Sequence, residues 1–426
     1  MSAHCSEPLT SPPTPADCLH PEDLADLRRS ELSDDMIAAM DCFSVEAPEI
    51  EKRTGVKVMS PDYAIPYAGI VDQTGEPYLR IRLRHPSKDM RYVSGRGDDP
   101  QVYVPPGFAE LPVGDLLVIT EGEKKSAKAV QEGIACIGIQ GVRSWCDAGH
   151  RAAEKALDHP VSEETPPLAR LLEIARRYDQ VLVLGDSDLL SNPQARAGLE
   201  TLAKSLVHRD IRAVVAYCPP AIGYSANGER TTKKQGLDDW LVADRFHAVH
   251  ALLALAFAAD VAHDGGISDS FNARMIANQF REELAFSRSV WHYWNGSIWQ
   301  IDDVVGHRKL ASKVAASYRS FAEKLDQLLR KVTKPFGKKE SDWPDEIRAW
   351  SGQIRVAVKI AKDAAGKIEN LRGMDAAFTI AQSFLKLDDD VWDSNPNLQR
   401  RGRSPHRRTA SSTSGTSHHA HGGRGV

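Results

Sequence analysis

The sequence predicts an α/β fold built on a mainly parallel sheet, and three stretches predict it. Leu116-Leu117-Val118-Ile119-Thr120 and Val181-Leu182-Val183-Leu184 are short apolar runs without alternation. Ile211-Arg212-Ala213-Val214-Val215-Ala216-Tyr217 is a third run rich in β-branched residues. Runs of this kind read as strands buried on both faces. Helical patterns separate them, and strands alternating with helices imply parallel pairing through right-handed crossovers.

The chain has 426 residues, enough for two or three domains. Its hydrophobic content of 42% and charged content of 26% suit a soluble globular protein. The net charge of −4 excludes a global polycation, so any nucleic-acid role needs a local basic surface. No apolar run is long enough to span a membrane, and the polar, Pro-rich start is not a secretory signal. Six scattered cysteines without a Cys-x-x-Cys pair suggest reduced cytoplasmic thiols. His4, Cys5, Cys18 and His20 match no standard zinc spacing.

Residues 1–20 read as a disordered arm rich in Ser, Thr and Pro. Residues 21–110 read as a small helical and β lobe. Pro21-Glu22-Asp23 opens one helix and Ser33-Asp34-Asp35 caps a second. Ala64-Ile65-Pro66-Tyr67 is a strand, and Asp72-Gln73-Thr74-Gly75-Glu76 is a turn. The next strand alternates cleanly: Tyr78, Arg80, Arg82 and Arg84 fall on one face, with Leu79, Ile81 and Leu83 on the other. A row of arginines suits phosphates, because each guanidinium offers a fixed fork of donors. It equally suits a solvated face with ion pairs. Arg91, Tyr92 and Arg96 extend the basic and stacking surface.

Residues 111–245 hold the α/β core. The first strand ends in Glu121 and the later one in Asp186-Ser187-Asp188. Acids just past strand ends lie at the carboxyl edge of the sheet, where open α/β folds place ligands. Three hard oxygen ligands meeting there would suit Mg²⁺, with Mn²⁺ as a substitute. Read alone, Asp186 or Asp188 also suits a helix cap. Lys124, Lys125 and Lys128 follow the first acid, either beside phosphates or on a solvated helix face. The strand Ala135 to Ile139 leads into Gln140-Gly141-Val142-Arg143-Ser144-Trp145, a loop also placed to line the site. No Gly-x-Gly-x-x-Gly follows the first strand, and no P-loop occurs; Ala365-Gly366-Lys367 lacks the first glycine and the hydroxyl. The Lys233-Lys234 loop is a further neighbour for the acids, while Asp238 and Asp239 suit N-capping of the helix after Gly236.

The strand ending Glu121-Gly122, followed by Lys124-Lys125-Ser126-Ala127, resembles the first motif of the Toprim domain. Gly185-Asp186-Ser187-Asp188 resembles its Asp-x-Asp motif. The surroundings resemble one branch, the Toprim-like domain of phage and plasmid replication proteins, long filed as a domain of unknown function. The matching marks are Ala64-Ile65-Pro66-Tyr67, Arg91-Tyr92-Val93, Tyr103-Val104-Pro105-Pro106-Gly107, Asn192-Pro193 and Gly236-Leu237-Asp238-Asp239-Trp240-Leu241, spread over residues 20–245. The resemblance implies a Toprim-type, Rossmann-like sheet. It implies Glu121 as general acid/base or metal partner, and Asp186 and Asp188 as holders of Mg²⁺. Glu123 falls off the glutamate of that pattern. The lobe placed before the core resembles the one that holds template and nucleotide in primases, with Arg80, Arg82, Arg84, Arg91, Lys124 and Lys125 on phosphates here.

Residues 266–398, after a Gly265-Gly266 joint, read as a mostly α-helical domain with an aromatic hairpin. Its strands flank Asn295-Gly296, a strong hairpin turn. The clustered tryptophans suit base stacking or, more plainly, a small core. Phe271-Asn272-Ala273-Arg274, Trp294 to Trp299 and Asp390-Val391-Trp392-Asp393-Ser394-Asn395-Pro396 resemble the linker that precedes the helicase in phage and plasmid primase–helicases. Residues 399–426 form a basic tail without acids. It reads as a nucleic-acid-binding arm or as the product of a frameshift, which would make the chain a truncated primase–helicase.

These readings together lead to the expectation of a primase-like nucleotidyltransferase of a phage, plasmid or mobile element. It would act on single-stranded DNA with nucleoside triphosphates, leaving room for a replicative helicase as partner. A Toprim nuclease and a non-catalytic DNA-binding accessory are the alternatives.

Overall fold

The structure, a computed structural model, describes residues 14–386 apart from 88–89, 115, 148, 150–161, 264–267, 281–282, 288, 295–298 and 302–304. Most of the N-terminal arm, the Gly265-Gly266 joint, the Asn295-Gly296 turn, the Asp390–Pro396 segment and the basic tail lie outside the described residues. The chain divides into two compact units, one of residues 1–260 and 324–356, the other of 261–323 and 357–426. Residues 324–356 thus group with the first unit, inside the stretch expected as one later domain.

The first unit begins with α1 (Pro15–Cys18), α2 (Pro21–Arg29) and α3 (Asp34–Ala39). Pro21 starts α2, where a missing N–H costs nothing, and Ser33 Oγ caps α3 by accepting the Met36 N–H. Helix α4 (Ala47–Thr54) continues the stretch over 21–54 that reads as helical, while β1 (Phe43–Val45) interrupts it as a strand. An antiparallel sheet follows in the order β1-β2-β3-β4, with β2 Asp62–Val71, β3 Pro77–Ser87 and β4 Met90–Val93. The turn between β2 and β3 forms because Asp72 Oδ1 accepts the N–H groups of Thr74 and Glu76 at 2.8 and 3.0 Å. The alternation of β3 is realised. Leu79, Ile81 and Leu83 pack with Ile50, Ala64 and Val93, while Tyr78 joins Tyr67 and Tyr103 on the opposite side.

The α/β core follows as β5 (Leu116–Glu121), α5 (Glu123–Gln131), β6 (Cys136–Ile139), α6 (Ala169–Ala175), β7 (Gln180–Gly185), α7 (Pro193–Val207) and β8 (Ala213–Tyr217). The four strands pair in parallel in the order β6-β5-β7-β8. Leu117 to Ile119 and Val181 to Leu184 are buried throughout, as strands covered on both faces require. Helix α5 packs on β6 and α7 on β8. In register, Thr120 pairs with Leu184, so β5 and β7 end level and Glu121 stands beside the start of the Asp186 loop.

Beyond β8, the stretch expected as a polar loop is a hairpin, β9 (Ala221–Tyr224) and β10 (Arg230–Lys233). Gly228, at φ +77, turns it. Helix α8 (Leu237–His263) follows, broken at Asp244 by extended backbone.

In the second unit α9 (Asp269–Phe280) is followed by an antiparallel sheet of β11 (Leu284–Ser287), β12 (Val290–Trp294) and β13 (Trp299–Ile301). Trp291 is core, against Phe286 and Phe378, while Trp294 faces Trp299 across the strands. Helices α10 (Val305–Thr333), α11 (Asp345–Glu369) and α12 (Leu371–Leu385) follow in the chain, with residues 324–333 of α10 and 345–356 of α11 belonging to the first unit. Among the described residues no helix is long and apolar enough to cross a membrane. Among the described residues Cys18, Cys42, Cys136, Cys146 and Cys218 form no disulfide.

Candidate active site

At the carboxyl edge of the parallel sheet, β5 ends in Glu121 and the chain turns through Gly122. Its φ of +105 and ψ of 151 is a conformation open only to glycine. The turn lets the Gly122 N–H donate to Ile139 O at 2.9 Å and starts α5 at once. Burial pushes the Glu121 carboxyl up; Asp186 and Asp188 add to that, against Lys125 and Lys234.

Asp186, the first residue after β7, is 3% exposed. Lys125 Nζ lies 2.7 Å from each of its carboxylate oxygens. Lys234 Nζ lies 2.9 Å from Asp186 Oδ2 and 2.9 Å from Asp188 Oδ2. Burial alone would push Asp186 up, but the two ammoniums outweigh it and hold the carboxyl below its ordinary value. Burial would likewise lower Lys125, yet Asp186 and Glu121 raise it. The Lys234 segment is fastened to the acid loop by one backbone bond and one bond to a side-chain hydroxyl. The Ser187 N–H donates to Gln235 O at 3.1 Å, and the Gln235 N–H to Ser187 Oγ at 2.9 Å. Gly236 permits this approach: a Cβ there would stand 2.8 Å from Lys125 Cε and 3.2 Å from Asp186 Oδ1. Helix α8 then starts with Asp239 Oδ2 accepting the Gly236 N–H at 3.1 Å, a capping bond, while Asp238 Oδ2 accepts from Ser30 Oγ at 2.7 Å.

Glu121, Lys125, Asp186 and Lys234 line a cavity of about 620 Å³ whose other wall includes β3 and β4, and Asp188 stands beside it outside the lining. Arg80, Arg82 and Arg91 face it. The Tyr92 ring carries two guanidiniums, Arg82 at 4.9 Å and Arg80 at 5.5 Å. Arg84 is not on this wall: it pairs with Glu22 at 2.6 Å and Asp23 at 2.7 Å. Lys124 is at the cavity but donates to Asp26 Oδ2 at 2.9 Å. Asp26, on a helix to which the sequence assigned no chemistry, also accepts from Tyr63 Oη at 2.8 Å and faces Arg82 and Arg29. Burial raises it, but Lys124 and its other partners leave it below the ordinary value. Glu123 is buried, accepts from Tyr67 Oη at 2.6 Å and lies 3.7 Å from Arg80 Nε, which makes it a brace between lobe and core. Gln140 lines the cavity as the loop reading expects, whereas Trp145 is core and donates to Gly198 O.

Among the described residues no three His, Cys, Asp or Glu side chains form a metal cage. The Asp186–Asp188 pair nevertheless fits a cation. One ammonium already bridges an oxygen from each, and Asp188 Oδ1 is buried without a hydrogen-bond partner. Carboxylate oxygens are the donors that Mg²⁺ or Mn²⁺ prefers.

Residues 113–248 match the family model of a domain of unknown function (DUF3854). No curated protein matches the chain. Among solved structures the chain is similar to the zinc-binding and RNA polymerase domains of the Aquifex aeolicus primase. Identity is 10% over 81% of this chain and 69% of that chain, with a TM-score of 0.36. A likeness that low carries no weight for function.

Proposed function

We propose that the first unit performs metal-dependent phosphoryl transfer of the primase kind, joining nucleoside triphosphates on a single-stranded DNA template. The setting would be the replication of a phage, plasmid or mobile element. The observation that carries the reading is the buried carboxylate Asp186, joined to Asp188 through the Lys234 ammonium, on a cavity whose opposite wall carries arginines. Acids on one side and guanidiniums on the other suit a ligand that brings both metal and phosphates.

In this reading Asp186 and Asp188 hold Mg²⁺ or Mn²⁺. The metal would neutralise charge developing on phosphate oxygens. Arg80, Arg82 and Arg91 hold phosphates, and Lys125 keeps Asp186 ionised. Glu121, its carboxyl pushed up by burial, would take a proton from an attacking hydroxyl.

One observation favours a second reading. Asp186 is already neutralised by two lysines, as in a metal-free DNA-binding accessory. Primer synthesis with labelled nucleoside triphosphates on single-stranded DNA, with Mg²⁺ or Mn²⁺, separates these. Metal-dependent product lost in Asp186→Asn/Asp188→Asn supports the proposal. Label cleaved from the template instead would make the domain a nuclease. Binding unchanged by the substitutions, without product from either protein, would establish the accessory.

A further inference from the structure

The two lysines on the acids differ in how they are held. Lys125 belongs to α5, touches both oxygens of Asp186, and is boxed in by Gly236, where no side chain fits. Its side chain is 18% exposed. Lys234 follows the end of strand β10 of an exposed hairpin, and its side chain is 47% exposed. It makes one contact to each aspartate, and Asp188 is itself 42% exposed. Loss of Lys125 would strand a buried carboxylate. Loss of Lys234 would not, because Asp186 keeps Lys125.

We propose that Lys234 is an exchangeable occupant of the cation seat between Asp186 and Asp188, which a divalent metal ion displaces. The inference rests on the metal-dependent reading above and deepens it. Without Lys234, the carboxylates Glu121, Asp186 and Asp188 face the single ammonium of Lys125, a deficit that a divalent ion cancels. With Lys234 in place an arriving ion meets a positive charge at the point where it must bind, and like charges in a half-buried site repel. The orphaned Asp188 Oδ1 gives the ion an oxygen that the ammonium does not use. Displaced Lys234 remains at the cavity, since the Ser187–Gln235 bonds hold its backbone there. The hairpin therefore keeps the acids paired when no metal is present and yields them when it arrives.

The test is Mn²⁺ binding by the full chain, read by electron paramagnetic resonance of free Mn²⁺, for wild type, Lys234→Met and Asp188→Asn. Removing a competitor worth one half-exposed ion pair should tighten Mn²⁺ binding by roughly twofold to fivefold. Asp188→Asn should weaken it. In parallel, acetylation of wild type with and without Mg²⁺, read by mass spectrometry, should show Lys234 labelled faster when metal is present, with Lys125 protected in both. Equal or weaker Mn²⁺ binding by a folded Lys234→Met protein, absence of Mn²⁺ binding in both proteins, or Lys234 labelling indifferent to Mg²⁺ overturns the exchange. Tight Mn²⁺ binding that responds to Lys234→Met without any primer product would sink the primase reading and leave the exchange standing.

Discussion

Replacing Asp186 by Asn keeps the shape of the side chain and removes its charge. The structure sets the cost. Asp186 is 3% exposed and receives three ammonium contacts, two from Lys125 at 2.7 Å and one from Lys234 at 2.9 Å. Removing one member of a buried pair leaves the other charge unpaired and typically costs roughly 3–5 kcal/mol. Lys125 keeps some contact with water and Lys234 keeps Asp188, so the lower end applies, about 3 kcal/mol. Asp188→Asn is the control. It loses one contact between two half-exposed groups, worth under about 1 kcal/mol. Urea unfolding at neutral pH without divalent metal measures both. Lys125→Met combined with Asp186→Asn should recover most of the loss, because no charge is then left buried alone. Equal costs for the two aspartates, or a double variant no better than Asp186→Asn, would refute the claim that Lys125 and Asp186 form one buried unit.

The arginines should separate into two classes. Arg82→Ala should weaken binding of single-stranded oligonucleotide and lower its salt dependence by about one counterion, whereas Arg84→Ala should leave both unchanged and loosen the start of the chain. Fluorescence anisotropy at several salt concentrations distinguishes them. Asp26 is held below its ordinary value of 3.8, so its contribution is present above that pH and is lost as pH falls through the lower folded value. Asp26→Asn should flatten the acid limb of a stability–pH profile below about pH 4 while lowering stability at pH 7; an unchanged acid limb counts against the Asp26 network. Tyr67→Phe removes the donor to buried Glu123 and should cost about 2 kcal/mol, read by thermal or urea unfolding.

Local signals carried much of the core. Unalternating runs at 116–120 and 181–184 became the central parallel strands, because burial on both faces demands apolar side chains at every position. The alternation of Tyr78 to Arg84 became a strand with an apolar face and a charged one. The hairpin at 221–233 was hidden. Its strands expose Ile222 and Tyr224, and its polar residues read as loop. Asp26 was hidden too: an acid on a short amphipathic helix looks solvated until Lys124, Tyr63 and Arg82 arrive from elsewhere in the chain.

What the sequence by itself determined is the placement of Glu121, Asp186 and Asp188. Strand length and apolar pattern fix where each strand stops, and in-register parallel pairing then sets their ends side by side. Tertiary structure alone decided the charge partners. Lys125 and Lys234 are far apart in the chain yet meet on one carboxylate, while Arg84, indistinguishable from Arg82 in the pattern, is taken up by Glu22 and Asp23. Backbone periodicity is local and survives in the sequence. Which of several identical charges finds which partner depends on how separate elements pack, and no spacing along the chain records it.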